Sequence, residues 1–455
     1  MKFSMIVACD DDKSIGFENK MQWDIKEDLK FFSKKTKGRG KNAVVMGRTT
    51  WNSLPVRPLP GRLNVVMTRT ENLLVPENVL IYNNDRTCIS SLSKMKDIDE
   101  VFVIGGSEIY KVFLDTSVIT TLYVTHVHMS GNKADSFFII PDDFTLSEKS
   151  DEHVGTPSYT FETYKRVNNE ELQYLDSCRD IIDKGSLKGD RTGTGTLSKF
   201  GVTMRFSLED GRIPVLTTKK VYWKAVVSEL LWMISGSTDA RILKQQGIKI
   251  WDGNSTREFN DSIGFTQREA GDLGPIYGHQ WRHFGAPYID SKTNYSGKGI
   301  DQLQRCIDLI INVPTSRRIV MSAWNASDID IMNLAPCHCL VQFYVADGKL
   351  SLSLYQRSGD MGLGIPFNIS SYALLLCLVA QVTNLKRGEF IHNIGDCHVY
   401  NDHVEALCTQ VYREPKKFPC MALNPMVRTI DDFKMGDICL MDYYPDSPIK
   451  MRMAI

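Results

Sequence analysis

The stretch "LAPCHCLVQFYV", Leu334–Val345, sets two thiols around one imidazole and decides how the second half of the chain is interpreted. Pro336 cannot donate a hydrogen bond to a neighbouring strand, so we expect a strand to start after it. Side chains alternate along a strand, so Cys337 and Cys339 would face one way and His338 the other. The three therefore do not chelate one metal ion, and Cα atoms about 6.6 Å apart lie at the far end of disulfide geometry. A catalytic nucleophile and a pair of ordinary buried thiols remain as the alternatives.

A nucleophilic cysteine needs positive charge nearby to favour its thiolate. The motifs "TSRRIVMSAW", "YQRSGDMGLG" and "KGDRTGTGT" supply four candidates, namely Arg317, Arg318, Arg357 and Arg191. Sequence spacing does not show that these arginines converge. If they do, one cluster both binds a phosphate and favours the thiolate. No C-x-x-C or H-E-x-x-H motif occurs, so no metal site is predicted.

The chain has 455 residues, of which 54 are basic and 54 are acidic. The length predicts two or three domains, and the even charge balance gives no sign of a nucleic-acid or membrane partner. The eleven cysteines favour reduced thiols and a cytoplasmic setting. No secretory leader is predicted. The apolar run "YALLLCLVAQV" from Tyr372 is far short of the ~20 residues of a membrane span, so we predict a buried helix there.

The N-terminal third alternates short β-rich runs with helical ones up to about Arg166. Strands are predicted at "SMIVAC", "NAVVMG", "LNVVMT", "EVFVIGG" and "TTLYVTHVH". Apolar strands separated by helices favour an α/β fold with a largely parallel sheet. A new helical pattern then begins, so we place a domain boundary near residues 167–169 and predict domains 1–167 and 168–455.

The segment "WDIKEDLKFF" places a carboxylate on an apolar helix face. Asp24 and Glu27 resemble a capping box at the helix start. Asp28 falls on the stripe that Ile25 and Leu29 begin, where burial would raise its pKa. Two interpretations stay open at this point: a carboxylate at the edge of the stripe that leans toward solvent, or a buried functional group.

Three strand ends in the same region carry residues suited to phosphate. Arg48 follows the strand in "VVMGRTTW", and Arg69 follows the strand in "VVMTRT". In "VFVIGGSEIY", Gly105-Gly106 forms a turn before a helix start, which is a typical phosphate cradle. Two arginines at strand ends would suit the extra phosphate of a 2′-phosphorylated nucleotide.

In this order, the motifs "IGFENKMQWDIKEDLKFF", "MGRTTW", "RPLPGR", "VIGGSEIY" and "LYVTH" resemble dihydrofolate reductase over residues 1–166. The resemblance implies that Asp28, with Thr125 beside it, holds the pteridine ring and supports its protonation. It implies a folate pocket of Ile6, Val7, Asp28, Leu29, Phe32, Arg62 and Thr125. It implies an NADPH site of Ala8, Ile15, Gly47, Arg48, Thr49, Thr68, Arg69, Gly105, Gly106, Ser107, Glu108, Ile109 and Tyr110. The departure is Gln22, where the family usually has proline in the loop over the nicotinamide.

Residues 170–455 resemble thymidylate synthase along their whole length, with "DRTGTGT", "DLGPIYGHQWRHFGA", "PTSRRIVMSAWN", "APCHCLVQFYV" and "LYQRSGDMGLGIPFNISSYALLL" in one order. The fold implied is an α+β domain that dimerises through its sheet. The resemblance implies catalytic roles for Cys337, Glu229, Tyr277 and Asn368. It implies dUMP ligands Arg191, Arg317, Arg318, Arg357, Ser358, Asp360, Asn368, His398, Tyr400 and His338. It implies folate contacts Trp251, Asn254, Asp360, Gly364, Phe367 and Ile455. Ala335 departs from the family, where a second proline is common.

The chemistry implied by the two resemblances is consecutive. Cys337 would add to C6 of dUMP, and C5 would attack the one-carbon unit of 5,10-methylenetetrahydrofolate, which leaves as dihydrofolate. The N-terminal domain would reduce that dihydrofolate with NADPH. The arrangement resembles the bifunctional enzymes of protozoa and plants. It implies a homodimer, because Arg317 and Arg318 would reach the phosphate site of the partner subunit, and it requires neither nucleic acid nor a membrane.

Three other functions are considered. A pyrimidine hydroxymethylase would share the fold and the nucleophile, but those acting on dCMP tend to carry aspartate at the Asn368 position. The N-terminal domain could bind folate without turnover, against which the intact Asp28, "GRTTW" and "IGG" set argues. RNA binding would be a minor role, because the charge is balanced and no aromatic-basic platform is present.

Overall fold

The computed structural model describes residues 2–70, 73–116, 118–141, 143–166, 169–190 and 193–453. By their contacts the residues form two compact units, Met1–Asn168 with Glu414–Lys417, and Asn169–Arg413 with Phe418–Ile455. Residues 167 and 168, on which the predicted domain boundary falls, lie outside the described residues, so that boundary stays a prediction.

The first unit is built around one eight-stranded sheet. The strands of the whole unit, including two outside that sheet, are β1 (Lys2–Asp10), β2 (Ser14–Gly16), β3 (Ala43–Gly47), β4 (Leu63–Met67), β5 (Val79–Tyr82), β6 (Glu100–Val103), β7 (Ile119–His128), β8 (Ser136–Phe137), β9 (Phe144–Lys149) and β10 (Ser158–Arg166). Its helices are α1 (Lys26–Lys37), α2 (Arg48–Ser53), α3 (Asp85–Ser93) and α4 (Ser107–Leu114). The sheet order is β5-β4-β3-β6-β1-β7-β10-β9, and β2 pairs with β8 separately.

The sheet is parallel from β5 to β7 and antiparallel where β10 joins β7 and β9. The predicted mostly parallel sheet is therefore confirmed. Strand β3 is buried along its whole length, as expected for a strand covered on both faces. The carboxyl ends of the parallel strands meet at one edge of the sheet, where ligands bind in open α/β sheets.

Helix α1 departs from the prediction at its start. It begins at Lys26, its N-cap is Ile25, and no side chain caps it, so the predicted capping box of Asp24 and Glu27 is wrong. The predicted apolar stripe is also only partly right. Asp28 is 8% exposed, whereas Leu29 is 51% exposed. The inward face of the helix is therefore centred on the carboxylate.

The second unit contains the larger core. Its helices are α5 (Asn169–Lys184), α6 (Trp223–Ile234), α7 (Ala240–Gln245), α8 (Arg257–Ser262), α9 (Tyr277–His283), α10 (Gln302–Asn312), α11 (Gly364–Val382) and α12 (Val404–Val411). Its strands are β11 (Ser186–Lys188), β12 (Thr196–Ser207), β13 (Val320–Ser322), β14 (His338–Ala346), β15 (Lys349–Asp360), β16 (Lys386–Tyr400), β17 (Cys420–Leu423) and β18 (Ile438–Met441). The main sheet has the order β11-β12-β16-β15-β14-β13, and β17 pairs with β18.

Helix α11 packs on this sheet and forms the centre of the core. The apolar run from Tyr372 is part of it, so the predicted buried helix is confirmed. The helix is longer than the apolar run, because it extends back to Gly364 and reaches 19 residues. By length and composition alone α11 could cross a membrane, but 83% of its most apolar window is buried within the protein. That burial is typical of a core helix.

Strand β14 starts after Pro336, as predicted, and its residues alternate between buried and exposed from Cys339 to Tyr344. The alternation fails at its first residue. A bulge lies between His338 and Leu340 where β14 pairs with β15. His338 consequently contacts the rings of Tyr277 and Tyr372, each 5.1 Å away between centroids. His338 is therefore less exposed than Leu340, Gln342 and Tyr344, because a bulge changes which way the flanking side chains point.

Candidate active sites

The first candidate site centres on Asp28 of α1. Its Oδ1 atom accepts a hydrogen bond of 2.6 Å from the hydroxyl group of Thr125, a buried residue of β7. Burial raises the pKa of Asp28, and the hydrogen bond from Thr125 lowers it in part. The predicted rise in pKa is confirmed. A buried carboxyl that faces a neutral donor is suited to exchanging protons with a ring nitrogen.

The other predicted folate contacts surround the same helix. Ile6 and Val7 are buried on β1, and Phe32 is half-buried on α1. The guanidinium of Arg62 lies 5.9 Å from the Phe32 ring centroid and donates to the hydroxyl of Thr36. Arg62 thus contacts α1 one to two turns after Asp28. A ligand held by Asp28 at one end would bring a carboxylate at its other end toward Arg62.

The predicted cofactor residues lie at the carboxyl edge of the sheet. Arg48 and Thr49 follow β3, and Thr68 and Arg69 follow the neighbouring strand β4. Both arginines and Thr49 are exposed, and Thr68 is half-buried. Two cations therefore follow neighbouring strands at this edge, an arrangement suited to the extra phosphate of a 2′-phosphorylated nucleotide.

The turn between β6 and α4 has the form of a phosphate cradle. Gly105 has a φ of +124°, and a Cβ atom there would lie 3.3 Å from the hydroxyl oxygen of Tyr110. Helix α4 begins at Ser107 without a side-chain cap, so its first backbone N–H groups have no such partner. Gly47 donates a 2.7 Å hydrogen bond to the Gly105 carbonyl and joins this turn to β3. The bare turn before an uncapped helix fits the pyrophosphate of NADPH.

The remaining cofactor candidates lie around that turn. Tyr110 is buried and donates a hydrogen bond of 2.8 Å to the carbonyl of Ile6. Four further residues are half-buried or exposed near the same edge: Ala8 on β1, Ile15 on β2, and Glu108 and Ile109 on α4. In the loop after β2, the amide of Gln22 donates to the carbonyl of Lys133. Gln22 therefore ties this loop to residue 133, which a proline could not do.

The second candidate site centres on Cys337, in the turn before β14. Its backbone N–H donates to the Tyr277 hydroxyl over 2.9 Å, and its carbonyl accepts from the backbone N–H of Arg357 over 2.9 Å. The Arg357 guanidinium donates to the carbonyls of Pro336 and Ala335 over 2.9 and 2.8 Å. Backbone carbonyls are present whatever the side chain, so this clamp holds the turn although a proline is replaced by Ala335.

Glu229 of α6 is the second buried carboxyl. Its Oε1 atom accepts a hydrogen bond of 2.8 Å from the indole of Trp251. Burial raises the pKa of Glu229 to about 7, and the bond from Trp251 lowers it in part. The Trp251 ring lies 6.1 Å from the ring of Tyr277, the residue that contacts Cys337. A carboxyl with a pKa near neutrality can both give and take a proton.

Asn368 lies on the second turn of α11 and is buried. Its Oδ1 atom accepts a hydrogen bond of 3.0 Å from Nε2 of Gln356 on β15. The Oε1 atom of Gln356 forms a hydrogen bond of 2.8 Å with Nε2 of His392. Burial lowers the pKa of His392 to about 3, so its ring is neutral at pH 7. Three buried polar side chains thus form a chain that ends at Asn368.

His338 stands between this chain and the nucleophile. Burial lowers the pKa of His338 to about 4, although a hydrogen bond to Asn368 raises it in part. The ring is therefore neutral at pH 7 and supports the polar network without adding charge.

The next predicted ligands, Ser358, Asp360, His398 and Tyr400, lie at the carboxyl ends of β15 and β16. Asp360 accepts hydrogen bonds from the backbone N–H groups of Gly362 (2.8 Å) and Leu363 (3.0 Å). His403 Nδ1 lies 3.4 Å from its Oδ1 atom. Although burial raises the pKa of Asp360, His403 and the backbone N–H of Gly362 lower it more, so it stays below its usual value.

His398 pairs with Asp360 in the register of β15 and β16, and its ring lies 5.2 Å from the ring of Tyr400. Ser358 lies two residues before Asp360 on β15. The structure also places three half-buried residues of the predicted folate set, with Gly364 and Phe367 on the first turn of α11 and Asn254 just after Trp251.

Family models cover both units. The model for dihydrofolate reductase matches residues 2–166, and the model for thymidylate synthase matches residues 172–455. A bifunctional dihydrofolate reductase-thymidylate synthase of Glycine max is 45% identical over 100% of this chain and 95% of that protein. The corresponding protein 1 of Arabidopsis thaliana is 45% identical over 100% and 96%, and that of Leishmania major is 40% identical over 100% and 95%.

The chain belongs to the bifunctional dihydrofolate reductase–thymidylate synthase family. It is an enzyme of dTMP synthesis, with an oxidoreductase domain that uses NADPH and a methyltransferase domain that uses methylenetetrahydrofolate. The predicted fold of each domain and the two activities predicted from the motifs are confirmed, and dimerisation through the synthase sheet stays a prediction. The alternatives of a folate-binding scaffold and of a hydroxymethylase receive no support from these comparisons.

The members of the dUMP set are not all brought together. Arg317 and Arg318 are exposed on the segment before β13, so the structure does not place them among the buried groups around Cys337. Arg191 and Ile455 lie outside the described residues. The roles assigned to these four residues, like those of the other site residues, stay predictions.

Sequence reasoning missed four buried groups that hold the synthase site. Gln356 and His392 orient Asn368, and His403 holds Asp360. The fourth, Lys219, donates to the carbonyl of Gly362, and burial lowers its pKa to about 8. Gln356 falls within a motif that carries the resemblance, but hydrogen-bond partners distant in the chain are not visible in a sequence.

Proposed function

We propose that this chain performs two consecutive reactions, the reductive methylation of dUMP and the reduction of the dihydrofolate so formed. One observation carries the proposal. Each unit holds a buried carboxyl, Asp28 or Glu229, that is hydrogen-bonded to a neutral donor and has a raised pKa. Both reactions move a proton at a heterocycle, one at a pterin nitrogen and the other at a pyrimidine oxygen, and such carboxyls are suited to both.

In the reductase unit, bound NADPH supplies the reducing equivalent. Asp28 accepts hydrogen bonds from the pterin ring and favours its protonated form, and Thr125 fixes the direction of that carboxyl. Ile6, Val7, Leu29 and Phe32 form the apolar walls, and Arg62 pairs with the glutamate carboxylate. Arg48 and Arg69 neutralise phosphate charge at the edge of the sheet.

In the synthase unit, the Cys337 sulfur forms a bond to C6 of dUMP, and the electron pair at C5 then attacks the methylene carbon. Tyr277 helps remove the C5 proton. Glu229 moves protons at the pyrimidine O4. The bonds from the methylene carbon to the folate nitrogens break, the folate transfers a hydride to the one-carbon group on C5, and the Cys337 sulfur leaves C6. The products are dTMP and dihydrofolate, and dihydrofolate is the substrate of the other unit.

Asn368 recognises the uracil edge in this proposal. Gln356 holds the Asn368 oxygen, which leaves the amide nitrogen to donate toward a pyrimidine carbonyl. Arg357 and Ser358, with Arg191, would bind the phosphate, and His398 with Tyr400 would bind the sugar hydroxyl. Asp360 and Trp251 would position the folate.

We infer further that the chain is a homodimer through the synthase sheet. An exposed face of that sheet and its neighbouring loops carries large apolar side chains, namely Phe200, Val320, Trp324, Leu340, Tyr344 and Tyr355. A patch of this kind supports a protein interface. Arg317 and Arg318, exposed beside β13, would then reach the phosphate site of the partner subunit.

Complementation tests the dimer. A Cys337→Ser chain lacks the nucleophile but keeps both arginines, and an Arg317→Ala/Arg318→Ala chain has the reverse defect. When the two chains are co-expressed and pair at random, half of the dimers are mixed, and each mixed dimer carries one complete site of two. The mixture should therefore have about a quarter of the wild-type synthase activity. If no activity returns while sedimentation shows mixed dimers, the shared site is wrong.

We also propose a cytoplasmic location. All eleven cysteines are unbridged, which supports a reducing compartment. Fractionation of the source cells with antibodies to the chain tests this.

The coupled reaction tests the whole proposal. The purified chain receives dUMP, methylenetetrahydrofolate and NADPH, with no dihydrofolate added, and NADPH oxidation is followed. We expect oxidation that depends on dUMP and is lost in Cys337→Ser, a variant that should still reduce added dihydrofolate. Failure with added dihydrofolate would support a non-catalytic scaffold. Formation of hydroxymethyl-dUMP without NADPH oxidation would support a hydroxymethylase.

A further inference from the structure

Two histidines and an aspartate that have no assigned role in folate or NADPH binding come together in the reductase unit. His126 and His128 lie two apart near the end of β7, so both point to the same side of the sheet. Asp11 follows β1, which pairs with β7 in a register that sets Asp10 beside Val127. Among the residues that the structure describes, these three form the one group of His, Cys, Asp or Glu side chains with metal-ligand spacing.

The distances suit a small divalent ion. His126 Nε2 lies 2.9 Å and His128 Nδ1 lies 3.7 Å from the same Oδ1 atom of Asp11. All three potential ligand atoms lie within 4.8 Å of one another. Ligands about 2.0–2.1 Å from a tetrahedral zinc ion are separated by roughly 3.3 Å, and the two measured distances lie on either side of that value.

A second carboxylate supports the assignment. Glu162 of β10 places Oε1 3.6 Å from His126 Nδ1, the ring nitrogen on the other side from Asp11. In the structure Nε2 of His126 forms a hydrogen bond with Asp11 Oδ1. An N–H group at Nδ1 that faces Glu162 would leave the lone pair of Nε2 for an ion, which would replace that hydrogen bond. Metal-binding histidines are commonly oriented in this way by a carboxylate behind the ring.

The cluster is reachable and has room for other ligands. The side chains of His126, His128 and Asp11 are 22%, 28% and 44% exposed. Three protein ligands leave at least one position for water on a four-coordinate ion. Two imidazoles and one carboxylate favour zinc or a similar transition metal over magnesium, which prefers oxygen ligands.

We propose that Asp11, His126 and His128 bind a divalent transition metal ion of the zinc type. The ion would join the end of β1 to the end of β7. The backbone N–H of Asp11 already donates to the Met129 carbonyl over 3.1 Å, and the Asp12 carboxylate accepts from the N–H of Gly131 over 2.7 Å. A bound ion would therefore hold the start of the loop that contains Ile15 and Gln22 against the segment after β7.

Cobalt titration of the intact, untagged chain tests the site. After removal of metals with a chelator under reducing conditions, Co²⁺ should bind at one ion per chain with visible bands of four- or five-coordinate cobalt. Sulfur-to-cobalt charge-transfer bands should be absent, which separates this site from the cysteines. Zn²⁺ should displace the cobalt, and a similar concentration of Mg²⁺ should not.

Two variants decide the ligands. His128→Asn should weaken Co²⁺ binding by at least about tenfold, whereas His153→Asn, an exposed histidine of the same unit, should leave it unchanged. Reductase activity of the metal-free chain, measured with added dihydrofolate, reports that the N-terminal unit of the variant has folded. Equal binding by wild type and His128→Asn, or no one-to-one cobalt spectrum, would overturn the site.

Hydrogen exchange tests the effect on the loop. Saturating Zn²⁺ should slow amide exchange in the peptide that covers residues 11–24 in wild type, and it should have no effect there in His128→Asn. Stoichiometric binding without this protection would overturn the proposed tie between the loop and β7.

Discussion

Gln356 donates from Nε2 to the Oδ1 atom of Asn368 over 3.0 Å, and this bond fixes the direction in which the Asn368 amide faces. The same Nε2 atom donates to the carbonyl of Ser358 over 2.9 Å, and a carbonyl can only accept. The nitrogen of Gln356 is therefore identified by chemistry. Its oxygen then faces His392, so the neutral ring of His392 carries its proton on Nε2.

This chain of bonds predicts the result of Gln356→Met, which keeps the side-chain length and removes both polar ends. Asn368 and His392 would each lose a buried partner, a loss of about 1–3 kcal/mol for each group. We expect kcat/KM for dUMP to fall roughly ten- to hundredfold, and discrimination against dCMP to weaken. Steady-state kinetics and equilibrium binding of both nucleotides measure this.

The matched control is Gln304→Met, because the side chain of Gln304, half-buried on α10, also donates to a neighbouring side chain, that of Asp308, but through an exposed hydrogen bond. Gln304→Met should leave kcat/KM for dUMP and the discrimination against dCMP unchanged. Unchanged dUMP kinetics in Gln356→Met would contradict an orienting role for Gln356.

A second prediction concerns the pH dependence of the synthase. Glu229 has a pKa of about 7 because it is buried, and its neutral form can donate a proton toward the pyrimidine O4. We expect kcat of the wild type to decline above pH 7. In Glu229→Gln, kcat should be lower by roughly 10²–10⁴-fold and should not change with pH near 7. A wild-type decline that persists in the variant would belong to another group.

The same carboxyl should affect stability. A pKa raised from 4.5 to about 7 means that the folded state resists ionisation, so stability is lost as pH rises through that interval. Relative to wild type, Glu229→Gln should gain about 3 kcal/mol in the free energy of unfolding of the synthase unit between pH 4 and pH 8. Urea unfolding followed at both pH values measures the gain. Equal differences at pH 4 and pH 8 would contradict it.

A third prediction separates the two activities. Asp28→Asn removes the ionisable group of the reductase site but keeps its size and the contact with Thr125. Reductase turnover at pH 7 should fall roughly a hundredfold or more, and the deficit should shrink as pH falls, because dihydrofolate is then protonated by the solvent. Synthase activity of the same chain is the internal control and should be unchanged. A pH-independent deficit would contradict proton supply by Asp28.

A fourth prediction concerns the C-terminal segment. A Cβ atom on Gly362 would collide with Nδ1 of His403 and lie 3.0 Å from the sulfur of Met451. His403 also meets the Arg452 carbonyl over 2.7 Å, so Gly362→Ala should release this segment. We expect KM for methylenetetrahydrofolate to rise about tenfold, with a smaller effect on dUMP binding. Gly436→Ala, where a Cβ atom meets nothing within 4 Å, is the control.

Much of the fold could be predicted from sequence because buried parallel strands are continuous apolar runs, such as "NAVVMG" before α2. The start of α1 could not, because Asp24 and Glu27 have the right spacing for a cap but the backbone becomes helical only at Lys26. Periodicity placed Asp28 on the inner face and wrongly placed Leu29 there too. Which side of a helix is inside depends on the strands that it packs against, here through Thr125.

The synthase site shows the same limit. The alternation of side chains after Pro336 correctly placed Cys339 and Val341 on one face, which is buried. It did not predict the contacts of His338, because the bulge beside it has no clear signature in sequence. Buried partners such as His392 were also missed, since a histidine in an apolar strand gives no indication of what it bonds to.

The position of Asn368 limits how the enzyme can evolve. It lies on a helix in which 15 of 19 residues are buried, so a side chain of different volume would disturb the packing around it. Aspartate has nearly the same shape and can still accept the bond from Gln356. A change of pyrimidine preference is therefore accessible by a single isosteric substitution, whereas other substitutions at this position would first have to be tolerated by the core.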